Sequence, residues 1–161
     1  MNSAPEWLPP FVLLQQYGGE WERYLDAIYE FFQTDFVSTQ PAFCDQPVRL
    51  KRHPLLQDKE ATFWHLISEG TDESQRLPDL RRCERIRWPR PMIEASPSGH
   101  VRCWETVRRN EKRFLIALDD FSYVVVLAIR AQHVLLWTAY CVEHDHRRRK
   151  LQKEWQRSKI S

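Results

Sequence analysis

The chain has 161 residues, the length of one ordinary domain and short for two. At 42% hydrophobic and 12% aromatic, with seven Trp, it can build a core, which excludes a compositionally disordered chain. Its formal net charge of +2 excludes a uniformly polybasic or polyacidic protein, but seven Lys/Arg against three Asp/Glu fall within residues 141–161.

No apolar run reaches bilayer-spanning length, and Ala128–Arg130 interrupts the longest, so no membrane partner is expected. Met1–Trp7 lacks the basic and apolar regions of a signal peptide, which leads to the expectation of a cytoplasmic protein. The four cysteines, Cys44, Cys83, Cys103 and Cys141, are widely spaced with no C-x-x-C pair, which argues against a zinc site or a disulfide scaffold.

In chain order, residues 1–17 are Pro-rich and apolar and read as an arm lying on a single domain of residues 18–161, with Gly18-Gly19 as the break. Trp21, Tyr24, Leu25, Ile28, Phe31 and Phe32 recur at helical spacing. Pro47–His53 alternates apolar and cationic residues and predicts a half-exposed strand. Ala61–Ser68 is ambiguous. Its β-branched and aromatic content favours a strand forming a hairpin with 47–52, whereas Phe63 and Ile67 at i, i+4 also suit a helix. The strand is the preferred reading.

Glu69–Gln75 predicts a polar loop. A short helix follows, with Pro78 at its first position and Trp88-Pro89 as its end. Met92–Ala95 then leads into a loop at Ser96–Gly99. Val101–Val107 predicts a strand. Three more come from Arg113–Leu118, Phe121–Ile129 and Val134–Tyr140, with turns at Asn110-Glu111, Asp119-Asp120 and 131–133. The chain closes on a basic helix. The expected class is α+β: N-terminal helices packed on a four- to six-stranded antiparallel sheet, with a basic C-terminal helix.

No P-loop, G-x-G-x-x-G, H-E-x-x-H or G-x-S-x-G occurs, and four glycines cannot build a glycine-rich phosphate loop, so no cofactor is expected. What recurs is cation beside aromatic. Arg49, Lys51, Arg52, His53 and His65 cluster early, and Arg81, Arg82, Arg85, Arg87 and Arg90 interleave with Trp88. Such interleaving suits RNA, because guanidinium groups neutralise phosphates while aromatic faces stack unpaired bases. Metal-independent RNA cleavage needs a base for the 2′-OH, an acid for the leaving 5′-oxygen and cations for the phosphorane. His65 suits base or acid, since histidine ordinarily titrates near neutrality. Glu84 or Glu105 is a candidate second partner, and Arg82 and Arg85 a bidentate phosphate clamp. Thr138 and Tyr140, two apart on one strand, share a face and are candidates to orient the phosphate. Lys51, Trp88, Arg147, Arg148 and Lys150 complete the candidate RNA contacts. Each has a bland counterpart: a core histidine, a solvated arginine helix, packed tryptophans.

Three segments carry a resemblance: Phe63-Trp64-His65, Pro78–Trp88, and Leu136–Tyr140 followed by Glu143–Leu151. Over roughly residues 47–155 the pattern resembles phage- and prophage-associated proteins of the barnase–EndoU–colicin–RelE-like (BECR) ribonuclease superfamily. The resemblance implies helices on a four-stranded antiparallel sheet with RNA on its open face. It also implies a metal-independent RNase toxin restrained by an antitoxin or immunity protein, with roles for His65, Arg82 or Arg85, Thr138 and Tyr140. The alternative is a non-catalytic RNA-binding or protein-interaction module using the basic C-terminal helix.

Overall fold

The structure is a computed structural model and describes residues 4–70, 72, 75–96 and 98–159. The first three residues of the expected arm, positions 71, 73 and 74 of the expected loop at 69–75, and position 97 of the next loop lie outside the described residues.

The apolar spacing after Glu20 forms helix α1 (Trp21–Phe36), which buries Tyr24, Leu25, Ile28, Phe32 and Phe36 while Glu22, Arg23, Asp26 and Glu30 face solvent. Each such buried side chain contributes about 1.5–3 kcal/mol relative to exposure. Residues 9–13 precede it without regular structure and end in a 3-10 turn at Leu14–Tyr17. Leu8 and Val12 are buried, the Tyr24 hydroxyl donates to Val12 O at 2.7 Å, and Trp88 Nε1 donates to Pro9 O at 2.9 Å.

Strands β1 (Ala42–Phe43) and β2 (Gln46–Leu50) pair antiparallel about a turn at Cys44-Asp45, both at positive φ. The segment 61–68 departs from the preferred reading. Ala61–Ile67 is helix α2, and the hairpin with 47–52 does not form. Six of its seven residues are buried, so its apolar content reflects a helix enclosed on nearly all sides, not a pleated surface. Phe63 packs against Tyr29 and Phe32, while Ala61 N and Thr62 N donate to Arg52 O and Lys51 O.

Short strands β3 (Ser68–Glu69) and β4 (Leu77–Pro78) pair with each other. Helix α3 (Leu80–Glu84) starts later than expected, because Asp79 is its N-cap and accepts from Arg81 N at 2.9 Å; Pro78 therefore lies outside it. Helix α3 stops at Glu84, before the expected end at Trp88-Pro89, and Pro89 opens helix α4 (Pro89–Ala95), which takes in the Met92–Ala95 stretch expected only to lead into the next loop. Proline at the first helical position gives up only an N–H that would have no intrahelical partner.

Strands β5 (Val101–Arg108), β6 (Glu111–Leu118), β7 (Tyr123–Ile129) and β8 (Val134–Cys141) form an antiparallel meander, and the chain ends in helix α5 (Asp145–Ser158). The sheet order is β1-β2-β8-β7-β6-β5. The expectation of an antiparallel sheet is corrected at one place: β2 runs parallel to β8, with Val48 opposite Val134, so the sheet is mixed. The helices and meander between them supply the long crossover that parallel pairing needs.

Helices α1–α4 and the N-terminal segment enclose one face of the sheet, burying Ile116, Val125, Leu127, Val134, Leu136 and Ala139. On the opposite face α5 lays Leu151 and Trp155 over Trp104, Phe121, Val124 and Val126. No described helix is long and apolar enough to cross a membrane.

Candidate functional site

The site begins with a β-bulge. Along the β7–β8 ladder Val126 pairs with Thr138 but Leu127 pairs with Leu136, which leaves Trp137 without an opposite residue. The extra residue changes the alternation. Val134 and Leu136 face the helices before it, and Ala139 does so after it, so Trp137, Thr138 and Tyr140 all turn to the α5 side. β2 pairs with β8 only as far as Leu136. Beyond that point α2 occupies the sheet edge: Thr62 Oγ1 donates to Leu136 O at 3.3 Å and Thr138 Oγ1 to His65 O at 2.8 Å. A bulge and a truncated neighbour thus bring the end of α2 against the polar half of β8.

There they enclose a cavity of about 530 Å3. Leu115, Val126 and Trp137 line it from the sheet, beside Thr138 and Tyr140. His65, Gly70, Arg76 and Arg82 line it from α2, α3 and the segment between them. Arg108, Arg109 and Arg113 come from the β5–β6 hairpin, and Arg147 from the first turn of α5. Six arginines therefore share one cavity, and no Asp or Glu is among the described residues lining it.

The arginines differ in what holds them. Arg108 Nη2 grips both Glu154 oxygens, at 3.1 and 3.0 Å, and Trp104 Nε1 donates to the same carboxylate at 2.9 Å. Arg113 Nη2 lies 2.8 Å from Glu111 Oε2, whose other oxygen is 2.7 Å from Arg130. Burial pushes both carboxyls up. The hydrogen bonds from Trp104 and Arg108 to Glu154, and from Arg113 and Arg130 to Glu111, outweigh it and hold each below its usual range. Arg82 Nη1 donates to His65 O and Ser68 O, its guanidinium is 3.7 Å from Asp79, and its buried Nε has no hydrogen-bond partner among the described residues. Arg76 Nη1 donates to Gly70 O at 2.7 Å. Arg109 and Arg147 are exposed and make no hydrogen bond or ion pair among the described residues.

His65 is 5% exposed, and its ring stands edge-on to Trp137 at 5.6 Å between centroids. Arg113 Cζ lies over the Trp137 ring at 5.2 Å and Lys51 Nζ at 5.8 Å.

Comparison with protein-family models, with curated proteins and with solved structures gave no match. No relative assigns a role to the cleft.

Of the residues singled out in the sequence, His65, Arg82, Thr138, Tyr140 and Arg147 meet in this cavity. Lys51 touches it only through Trp137. Arg85 and Trp88 do not join them. Arg85 is 7% exposed, its guanidinium over Phe11 and Trp88 at 4.5 and 5.2 Å, with Nη1 donating to Arg81 O. Trp88 is 3% exposed against Phe11 and Tyr123, inside the core of the other face. Arg148 Nε is tied to Val142 O at 3.0 Å, and Lys150 points to solvent outside the cavity. Neither Glu84 nor Glu105 lines it.

Sequence reading missed Arg76, Arg108, Arg109 and Arg113. The signal for the last three was Arg108-Arg-Asn-Glu-Lys-Arg113, a run of cations around an Asn. Arg109 and Asn110 both sit at positive φ, the geometry of a two-residue hairpin turn, which carries cations to both sides of one tip. Arg76 leaves no comparable signal. Among the described residues no three His, Cys, Asp or Glu side chains group as metal ligands would. Burial pushes the Cys83 thiol up to about 12 and Cys103 to about 11, so neither supplies a thiolate near neutral pH.

Proposed function

We propose that the arginine-lined cleft binds RNA and that the protein is a metal-independent endoribonuclease. The observation that carries this reading is the convergence of six arginines, with no Asp or Glu among the described residues lining it, on a cavity that also holds His65 and Tyr140. In such a reaction the ribose 2′-oxygen attacks phosphorus and the 5′-oxygen leaves, giving a 2′,3′-cyclic phosphate and a 5′-hydroxyl. One group removes the 2′-OH proton and another protonates the 5′-oxygen. His65 and Tyr140 are the proton-handling pair, and the guanidiniums stabilise the dianionic phosphorane. Thr138 acts through position. Its only hydroxyl proton is directed to His65 O, so it anchors the end of α2 and offers a ligand lone pairs but no donor. In line with the BECR resemblance, the enzyme would serve as a toxin of a toxin-antitoxin or phage-derived system, restrained by a cognate antitoxin or immunity protein.

A second reading, RNA binding without cleavage, is favoured by one observation. Thr138 and Arg82, both candidates for phosphate contact, are engaged with the His65 carbonyl. End-labelled RNA incubated with chelator separates the two. Cleavage to cyclic-phosphate ends by the wild type, lost in His65→Ala and weakened in Tyr140→Phe with RNA binding retained, is the expected result. Binding with no product from the wild type leaves the second reading. Neither binding nor product overturns both.

A further inference from the structure

A second recess, of about 590 Å3, adjoins the cleft and shares His65 and Arg76 with it. Its lining is otherwise different. Trp21, Trp64, Ala61 and Pro78 supply apolar walls, and Leu55 and Leu56, which also line it, are 50% and 57% exposed. At its Ser68–Arg76 end the polar groups are already used within the chain. Ser68 Oγ donates to Trp64 O, Arg76 Nε donates to Ser68 Oγ at 3.3 Å, and Arg76 Nη1 donates to Gly70 O at 2.7 Å. What the recess offers an occupant is therefore apolar contact.

The two leucines are held in place. Leu56 N donates to Lys59 O at 3.1 Å and Lys59 N to Leu56 O at 3.0 Å, closing a turn with Gln57 and Asp58 at positive φ. Trp64 Nε1 donates to Leu56 O at 3.0 Å and ties that turn to α2. A tip fixed in this way loses little conformational freedom on docking. Leucines half open to water beside an apolar recess mark a surface that gains from being covered.

Charge and shape decide the kind of occupant. Both signs border the recess: Glu20 is 3.6 Å from Arg23, Glu60 is 3.8 Å from Arg52, and Asp58 is next to Lys59. A surface of one sign, such as the six-arginine cleft, repels its own copy and draws an opposite partner, whereas a mixed surface can meet its own copy. A two-fold pair also needs one patch that carries both a projection and a recess. Here the Leu55-Leu56 tip stands beside the space that would receive its counterpart.

We infer that this recess is a homodimer interface, in which Leu55 and Leu56 of each copy enter the recess between Trp21 and Trp64 of the other. The second copy then lies against α2, beside the cleft that shares His65 with the recess. The inference does not depend on what the cleft binds.

Sedimentation velocity of the full chain across a concentration series tests it. The wild type should move from the 19.4 kDa monomer toward twice that mass as concentration rises. The double variant Leu55→Glu/Leu56→Glu places two carboxylates per copy at the contact and should raise the dimer dissociation constant by more than about tenfold. Both side chains are at least half exposed, so the monomer should keep the wild-type circular dichroism spectrum. Val107→Glu is the comparison, since Val107 is 59% exposed on β5 and lines neither the recess nor the cleft. Its dissociation constant should match the wild type. A wild type that stays monomeric at every concentration overturns the inference. So does a dimer that the leucine variant leaves intact, or one that Val107→Glu weakens equally, because the contact then lies elsewhere.

Discussion

Arg109 and Arg147 are the cleft arginines exposed to solvent with no hydrogen bond or ion pair among the described residues, and they sit on separate elements, the β5–β6 turn and the first turn of α5. Replacing either by Ala removes a cation without leaving a carboxylate unpaired, so the unfolding midpoint should not move. RNA binding should. Each phosphate neutralised on a single strand contributes about 0.7 to the slope of log affinity against log salt. Between about 50 and about 200 mM salt, one contact therefore accounts for about a 2.6-fold fall in affinity. Arg109→Ala and Arg147→Ala should each lower the slope by about 0.7, and the double variant by about 1.4. Arg149→Ala and Lys150→Ala provide the comparison, because both are exposed cations of α5 that do not line the cavity. Anisotropy titrations of an uncleavable RNA strand at four salt concentrations measure all five proteins against the wild type. If Arg149 and Lys150 change the slope as much as Arg109 and Arg147, RNA binds along the basic helix and the assignment of the cleft fails.

Two further predictions concern the groups behind the cleft. Glu154 has its folded-state carboxyl held below the usual range, so its stabilising effect is fully present above the ordinary glutamate value of about 4.3 and is lost as pH falls through the lower folded value. Glu154→Gln should lower stability by about 1 kcal/mol near neutrality, the Arg108 partner being too exposed for more, and the gap in urea midpoint from wild type should close as pH falls below about 4. Thr138→Val keeps the shape of the side chain and leaves His65 O with its Arg82 donor at 3.2 Å, so stability should fall by only about 0.5–1.5 kcal/mol. Cleavage rate should fall with RNA affinity unchanged, and a variant that loses affinity instead would mean that Thr138 contacts the ligand directly.

What the sequence made legible followed from periodicity. α1 lies where apolar spacing puts it, the meander β5–β8 where alternation and apolar runs put it, and α5 where the run of cations after His144 put it. α2 was misread for a physical reason. A helix buried on nearly every side loses the amphipathic contrast that distinguishes 3.6 from 2.0, and Phe63-Trp-His-Leu-Ile then resembles a strand. The parallel partner of β2 was not legible either, since nothing local to Val48–Leu50 encodes a pairing made more than eighty residues later. Within the site, Thr138 and Tyr140 were found by the strand alternation. Trp137 belongs beside them only because the bulge adds a residue, and no rule of alternation anticipates that. Arg82 and Arg85 looked equivalent as cations of one short helix. Three positions apart, they part company: Arg82 reaches the cleft, while Arg85 is enclosed between Phe11 and Trp88 by an N-terminal segment whose path the sequence does not specify.

The placement of the carboxylates gives the cleft its direction. Six guanidiniums around one cavity repel one another, and folding tolerates that only if negative charge lies close by. Asp79, Glu111 and Glu154 supply it, yet none of them lines the cavity. Glu111 and Glu154 hydrogen-bond their arginines through part of a planar group that has five N–H donors in all, while Asp79 lies 3.7 Å from Arg82 Nε as a neighbouring charge. Arg108 and Arg113 are thereby held in orientation by carboxylates that do not line the cavity. A solvated basic surface has no need of this arrangement, because its lysines and arginines can pair with any nearby acid. Among the described residues the anchoring carboxylates stay outside the arginine-lined cavity, which supports the proposal that it receives an anion.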